Sequence, residues 1–153
     1  HKKWPIEKYD KLIDMLLSYY PSKHVILIGL EQDKVDACFL KKNSDRVINL
    51  TGKLSIAQLA ALFKVTPLLV CNDGGSGHLA DAVGCTVVSI IPGIELPDSI
   101  EPFNNKKLSI RAKIECSPCY DFDNCPQGHM LCMRNISVAE VFKMIVKAEK
   151  IIN

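Results

Sequence analysis

A glycine-rich turn between an apolar run and a helical pattern carries the residues best suited to chemistry. Residues 68–71 predict a buried strand, and Asp-Gly-Gly-Ser-Gly-His at 73–78 separates them from an apolar helical pattern. Backbone N–H groups in the first turn of a helix lack intrahelical acceptors, and the helix dipole favours an anion there. Glycines let a diphosphate approach the backbone, and His78 can donate to it. The pattern predicts an anion site, with a structural alternative in which Asp73 only caps the helix.

Two better-known motifs do not fit this turn. A Walker phosphate-binding loop ends in Gly-Lys followed by Ser or Thr, and this turn contains no lysine. The nucleophile elbow of serine hydrolases reads G-x-S-x-G, whereas His78 stands at the position of the last glycine after Ser76. Neither a Walker-type nucleotide hydrolase nor a serine hydrolase is therefore expected.

Four of the seven cysteines form a second candidate site near the end of the chain. They are Cys116, Cys119, Cys125 and Cys132, in a Cys-rich loop over residues 115–133. The Cys-x2-Cys pair has the spacing of zinc ligands, but the second pair is wider than usual, and His129 could replace one thiolate. Structural zinc, disulfides and free thiols all remain open. The other cysteines, Cys38, Cys71 and Cys85, lie in apolar or helical contexts and are predicted to be small core residues.

Composition and charge exclude several classes of protein. The chain of 153 residues suits one domain, and 48% hydrophobic against 24% charged residues is ordinary for a globular protein. The net charge of +2 gives no case for nucleic-acid binding, and the apolar runs are too short to span a bilayer. A start at His1 without Met indicates a fragment, a processed product or an excised domain. The odd cysteine count and the lack of a signal sequence favour a reducing compartment.

Apolar runs alternate with helical patterns along the chain. Strands are predicted over 24–29, 46–50, 68–71, 86–91 and 108–112, and helices over about 5–20 and 32–40, after the caps Ser55 and Ser137, and after the glycine turn. This alternation predicts an α/β fold, a Rossmann-like parallel sheet with helices on both faces. Ligands of such sheets bind beyond the carboxyl ends of the strands, where the glycine turn lies.

Four motifs in one order resemble a known family. They are Lys2-Lys3-Trp4-Pro5, Asn49-Leu50-Thr51-Gly52-Lys53-Leu54-Ser55, Asn72-Asp73-Gly74-Gly75-x-x-His78-Leu79-Ala80, and Cys116-Ser117-Pro118-Cys119 through Cys132-Met133-Arg134-Asn135-Ile136-Ser137. Each motif is weak alone, but their order and spacing resemble the C-terminal half of glycosyltransferase family 9, the lipopolysaccharide heptosyltransferases and their relatives. The resemblance covers essentially the whole chain.

The resemblance implies one half of a two-domain glycosyltransferase of the B type, with the active site between two Rossmann-like domains. Residues 1–153 would form the C-terminal domain, which binds the nucleotide-sugar donor, ADP-heptose in the best-known members. The N-terminal domain, which binds the acceptor and carries a catalytic Asp, would be absent from this chain.

The same resemblance implies roles for individual residues. Asp73, Gly74, Gly75 and His78 would lie beside the diphosphate and the sugar, with His78 and Asp73 as the catalytic groups on the donor side. Leu54 would lie against the adenine and Lys2 near the phosphates. The ribose would be held by Glu31, or less favourably by Asp33.

Departures from the family pattern bear on the sugar. Gly74 stands where the family usually has Ser or Thr, and Ser76-Gly77 replaces its usual residues before the histidine. The segment that often reads Gly-Pro-Thr-Asp-Pro in the family is Pro-Gly-Ile-Glu-Leu-Pro at 92–97 here. Heptose is therefore an expectation, with another hexose or heptose open.

The expected function is donor binding in an inverting glycosyltransferase of lipopolysaccharide core synthesis, with no catalytic cofactor and a possible structural zinc. The acceptor would be a lipid-linked saccharide at the cytoplasmic membrane face, reached through the missing domain. The isolated chain would bind nucleotide weakly and would not turn over. Two alternatives are a nucleotide-binding module without transferase activity and a zinc-stapled interaction domain whose glycine turn is only structural.

Overall fold

The computed structural model describes residues 2–40 and 44–152, and its elements alternate as the sequence predicts. The strands are β1 (Val25–Leu27), β2 (Val47–Asn49), β3 (Leu68–Asn72), β4 (Thr86–Ile90) and β5 (Ser109–Ile110). The α-helices are α1 (Ile6–Tyr19), α2 (Lys34–Leu40), α3 (Ile56–Val65), α4 (Gly75–Ala82), α5 (Leu131–Arg134) and α6 (Val138–Ile152). Short 3-10 helices cover Glu31–Asp33 and Lys106–Leu108. The predicted α/β class is confirmed.

The strands pair in parallel, as predicted, but they form two sheets rather than one. β1 pairs with β2, and β4 lies between β3 and β5. The register of the longer sheet runs from Leu68 opposite Thr86 to Asn72 opposite Ile90. Among residues 2–40 and 44–152, no ladder joins β1 to β3.

The segment before α1 connects the carboxyl ends of the two sheets. The Lys3 ammonium binds Asp33, which follows β1, at 2.8 Å. The Trp4 N–H donates to the Asn72 Oδ1 at the end of β3, at 3.0 Å. The Trp4 ring is buried, and its Nε1–H donates to the Ile136 carbonyl at 3.0 Å. This segment therefore fixes the ends of β1 and β3 relative to each other without a backbone ladder.

Alternation along β4 gives the fold a core on each face of the longer sheet. Val88 and Ile90 pack with residues of α1 and α6, whereas Val87 packs with residues of α3 and α4. Successive side chains of a strand point to opposite faces of the sheet. When both sets are apolar, helices must cover both faces. The prediction of helices on both faces is confirmed.

Local capping signals fix where two helices begin. The Ser55 Oγ accepts from the Gln58 N–H, while the Gln58 side chain accepts from the Ser55 N–H. Ser137 and Glu140 form the same reciprocal pair before α6. Both helices begin directly after the predicted caps, because each pair satisfies two backbone donors that the helix leaves open.

The prediction that Cys38 belongs to the core is wrong. In the short helix α2, Ala37 and Leu40 share the buried face, three residues apart, which places Cys38 on the exposed face beside Phe39. Cys71 and Cys85 are buried, as predicted. None of the helices in the described part of the chain is long and apolar enough to cross a membrane.

Candidate functional site

The glycine turn joins the end of β3 to the start of α4, as the sequence predicts. The Asp73 N–H donates to the Ile90 carbonyl at 3.1 Å, so the turn begins at the carboxyl edge of the sheet. Gly74 is the N-cap in an extended conformation, and no side chain caps the helix. The alternative that Asp73 caps α4 is therefore wrong, because the extended Gly74 moves the helix start one residue further. The first N–H groups of α4 remain available to an anion.

Two glycines of the turn are not required by the fold. A Cβ built on Gly74 or on Gly75 would have no neighbour within 4 Å, and neither residue has a left-handed φ. Both glycines are exposed. Their lack of side chains instead leaves the backbone open to a group from outside the chain.

Gly77, by contrast, packs closely against β3. A Cβ built on Gly77 would lie 3.1 Å from the Cys71 Sγ, so this glycine lets α4 lie close on β3. Burial raises the pKa of the Cys71 thiol to about 12, which keeps it neutral and unreactive beneath the turn.

Asp73, Gly74 and His78 line a narrow crevice at the carboxyl end of the longer sheet. Its other wall includes Ile100 and Pro102, from the irregular segment after β4. His78 is exposed, and Asp73 is half-buried. In residues 2–40 and 44–152, no side chain donates a hydrogen bond to the Asp73 carboxylate. The structure therefore brings Asp73, Gly74 and His78 together at the carboxyl edge of the longer sheet.

Glu31 and Leu54 lie at the carboxyl ends of the other sheet. Glu31 accepts from the Lys34 ammonium at 2.6 Å, and its side chain is 73% exposed. A Cβ built on Gly52 would lie 2.6 Å from the Glu31 Oε2, which places this carboxylate against the turn that leads to Leu54. Leu54 is half-buried. Glu31 and the loop of Leu54 are therefore neighbours.

The Asp33 carboxylate is bonded to other groups of this chain. It accepts from Lys3 and from the Leu30 N–H, and the Lys3 hydrogen bond holds the pKa of the Asp33 carboxyl below its usual range. These bonds leave Glu31 as the more available of the two carboxylates that the sequence offered for the ribose.

Lys2 lies on the Cys-rich loop. Its Nζ is 5.1 Å from the centre of the Phe122 ring, a cation–π distance. The predicted role of Lys2 at the phosphates stays a prediction.

The four cysteines of the Cys-rich loop line one cavity of about 290 Å³ together with His129. The Cys116 Sγ lies 3.9 Å from the His129 Nε2. All seven cysteines are free thiols, and within the described residues no three metal-binding side chains are grouped closely enough to hold an ion. The zinc interpretation of this loop stays a prediction.

Sequence reasoning missed several polar residues that shape the crevice. Arg111 and Glu101 form an ion pair at 2.6 Å, with side chains only 16% and 5% exposed. Asp81, in α4, is also buried and accepts from the Asn104 N–H at 3.0 Å. No local pattern marks Arg111, Glu101 or Asp81 as buried, since charged side chains are mostly exposed to solvent.

Comparisons with known proteins agree on one family. A sequence model described as glycosyltransferase family 9 (heptosyltransferase) matches residues 1–129. A lipooligosaccharide heptosyltransferase 2 from Campylobacter jejuni is 22% identical over 151 residues, which cover 95% of this chain and 46% of that protein. The chain therefore spans about half the length of this curated relative.

Solved structures show the same fold. The chain superposes on Escherichia coli ADP-heptose LPS heptosyltransferase II with a TM-score of 0.77 at 22% identity, covering 96% of this chain and 42% of that one. It superposes on TibC with a TM-score of 0.75 at 20% identity, covering 99% and 43%. TibC, from enterotoxigenic E. coli, is described as a dodecameric iron-containing heptosyltransferase in complex with ADP-D-beta-D-heptose.

Proposed function

The chain belongs to glycosyltransferase family 9, and from this premise we propose that it is the donor-binding half of an inverting heptosyltransferase that uses ADP-heptose. The observation that carries the proposal is the open start of α4. Two exposed glycines that the fold does not require and uncapped N–H groups meet Asp73 and His78 at the carboxyl edge of a parallel sheet. A structure of TibC, which has the same fold, holds ADP-D-beta-D-heptose.

In this proposal, the start of α4 binds the diphosphate. The N–H groups of Gly75 and Ser76 and the His78 ring face the charge that grows on the diphosphate as the glycosidic bond breaks. Donors aimed at developing charge stabilise a transition state more than a ground state, so these groups promote departure of ADP. Asp73 accepts hydrogen bonds from sugar hydroxyls and orients the anomeric carbon.

The nucleoside would lie toward the other sheet. Glu31, which is exposed and neighbours the loop of Leu54, accepts hydrogen bonds from the ribose, and Leu54 provides an apolar surface for the adenine. Lys2 would be a mobile charge for the phosphates, released from Phe122.

The rest of the protein would supply the acceptor side. The proposed acceptor is a lipid-linked saccharide of the lipopolysaccharide core, presented at the cytoplasmic membrane face to a second domain. A base in that domain would take the proton from the acceptor hydroxyl, which then attacks the anomeric carbon. The donor half alone would bind nucleotide weakly and would not transfer sugar.

One observation favours a second candidate, a nucleotide-binding module without transferase activity. Gly74 faces the crevice with no hydroxyl where the family usually has Ser or Thr. The two candidates differ in whether the full-length protein transfers sugar from a labelled nucleotide donor to a lipopolysaccharide-core acceptor.

Calorimetric titration of the full-length protein with ADP, UDP and GDP tests the donor site. We expect ADP to bind in preference to UDP and GDP, and His78→Ala to weaken ADP binding by about tenfold through loss of one charge-assisted hydrogen bond. His24→Ala is the matched control, since His24 is also exposed but precedes β1 at the opposite edge of its sheet. Equal ADP affinity in His78→Ala and wild type would contradict the proposed role of His78.

A further inference from the structure

The segment from Pro92 to Asn105, called the wall below, supplies part of the lining of the crevice that also contains His78. It has no regular structure before Lys106, yet Ile94 in it is only 2% exposed, and Ile100 and Pro102 line the crevice. A long irregular segment holds one shape only where side chains satisfy its backbone groups. The residues that hold this wall therefore determine the width and shape of the crevice.

One guanidinium group binds both ends of the first part of this wall. Arg111, directly after β5, donates from Nη1 to the carbonyls of Pro92 at 3.0 Å and of Glu95 at 2.9 Å. Its Nη2 donates to the Leu96 carbonyl at 3.2 Å. Its Nε donates to the Glu101 Oε1 at 2.6 Å. Hydrogen bonds from all three guanidinium nitrogens thus hold residues 92–101 around the Arg111 side chain.

Glu101 connects Arg111 to Ile100, a residue that lines the crevice. Its Oε2 accepts from the Ile100 N–H at 3.2 Å, while its Oε1 is held by Arg111. Burial is the largest single influence on the pKa of Glu101 and raises it. The hydrogen bond and charge of Arg111, together with backbone N–H donors that include Ile100, outweigh burial and keep the pKa below its usual range. Glu101 is therefore a buried carboxylate paired with Arg111, and the position of Ile100 depends on that pair.

The second part of the wall is bound to the helix that carries His78. Asp81 lies one turn after His78 in α4, and its Oδ2 accepts from the N–H and the Nδ2 of Asn104 at 3.0 and 3.2 Å. Its Oδ1 accepts from the Asn105 side chain. The gap between α4 and the wall is thus fixed at Asp81, and Arg111 fixes the wall beyond that point.

We propose that Arg111, acting through Glu101, is a positioning residue that holds residues 92–101 as the sugar-contacting wall of the donor site. The inference rests on the proposed function and assigns the wall to the glycosyl group, because the start of α4 is the part of the crevice suited to the diphosphate. Arg111 touches no substrate. The planar fork of a guanidinium serves four acceptors at once, which an ammonium cannot reproduce.

The test compares the affinities of the full-length protein for ADP-heptose and for ADP by calorimetry. The affinity ratio is the affinity for ADP-heptose divided by the affinity for ADP. It measures the contribution of the sugar to binding, since a merely structural loss lowers both affinities equally. We expect Arg111→Lys to lower the ratio by about tenfold, the effect of displacing one or two hydrogen bonds to the sugar, and to leave ADP affinity nearly unchanged. Glu101→Gln presents an amide NH2, a donor, to the Ile100 N–H and should also lower the ratio. It is the second variant to be measured if Arg111→Lys does not fold.

Arg46→Lys is the matched control. Arg46 also donates to backbone carbonyls, those of Leu17, Tyr20 and Pro21, but it lies before β2, at the edge of its sheet opposite the Glu31 loop. An unchanged ratio in both Arg111→Lys and Glu101→Gln would overturn the inference, as would equal wild-type affinity for ADP-heptose and ADP. A wild-type protein that binds neither ligand would overturn the proposed function itself.

Discussion

The close contact between α4 and β3 predicts that Gly77→Ala destabilises the chain although alanine favours helices. A Cβ at Gly77 would lie 3.1 Å from the Cys71 Sγ, and its next neighbours, in Pro102 and Val87, would lie at 3.8 and 3.9 Å. Crowding a packed core costs about 1–3 kcal/mol, whereas replacing glycine by alanine within a helix contributes about 1 kcal/mol. The net expectation is a loss of about 1 kcal/mol in the free energy of unfolding.

A double-mutant cycle with Cys71→Ala isolates the contact. Without the sulfur atom, the new methyl group has room, so Gly77→Ala should stabilise the Cys71→Ala protein by up to about 1 kcal/mol. The difference between the two backgrounds is a coupling energy of about 2 kcal/mol.

Urea unfolding followed by the fluorescence of Trp4, the single tryptophan, gives these free energies. Trp4 is buried, so its emission reports loss of the core. Gly75→Ala is the matched control in the same helix, because a Cβ there has no neighbour within 4 Å. It should show no coupling to Cys71→Ala. Equal effects of Gly77→Ala in the two backgrounds would refute the packing argument.

Three further predictions follow from the polar groups around the crevice and the Cys-rich loop. Asp81→Asn replaces an acceptor by a donor facing Asn104 or Asn105, and should lower the free energy of urea unfolding by about 1–3 kcal/mol. Because the folded pKa of Glu101 is lowered, its stabilisation is present above its unfolded pKa of about 4.3 and is lost as pH falls through the folded pKa. Urea midpoints measured from pH 6 downward should therefore fall less steeply in Glu101→Gln than in wild type. The Met130 N–H and neighbouring backbone donors lower the pKa of the Cys125 thiol, so iodoacetamide should modify Cys125 near neutral pH. Burial raises the pKa values of Cys71 and Cys85 to about 12 and 11, so these two thiols should stay unmodified.

Each of these predictions has a contrary outcome. A wild-type unfolding free energy in Asp81→Asn would show that α4 does not depend on its bonds to the wall. Identical pH profiles for wild type and Glu101→Gln would remove Glu101 from the acid transition. Peptide mapping that found Cys71 modified as fast as Cys125 in the folded, reduced protein would contradict the burial of Cys71.

The parts of the fold that the sequence predicted well rest on local signals. Ser55 with Gln58 and Ser137 with Glu140 satisfy helix N–H groups within three residues, so the capping pattern is visible in the sequence. Glycines next to an apolar run likewise predict the turn at 73–78. The alternation of strands and helices was sufficient to predict the parallel arrangement.

The errors concern relations between distant residues or a shift of one residue. Periodicity could not show that the segment of Lys3 and Trp4, rather than a ladder, connects the ends of β1 and β3. The start of α4 at Gly75 depends on the extended conformation of Gly74, which the sequence pattern does not show. The environment of Arg111 is set by carbonyls 15 to 19 positions earlier, which no local pattern encodes.

The central claim is that a nucleoside diphosphate binds at the start of α4, and amide chemical-shift mapping by NMR tests it most directly. ADP added to the 15N-labelled chain should shift the amide signals of Gly74, Gly75 and Ser76, with smaller shifts around Glu31 and Leu54. The same titration of His78→Ala should give weaker saturation of the same signals. Shifts confined to the Cys-rich loop, with the glycine-turn amides unmoved at saturating ADP, would contradict the account.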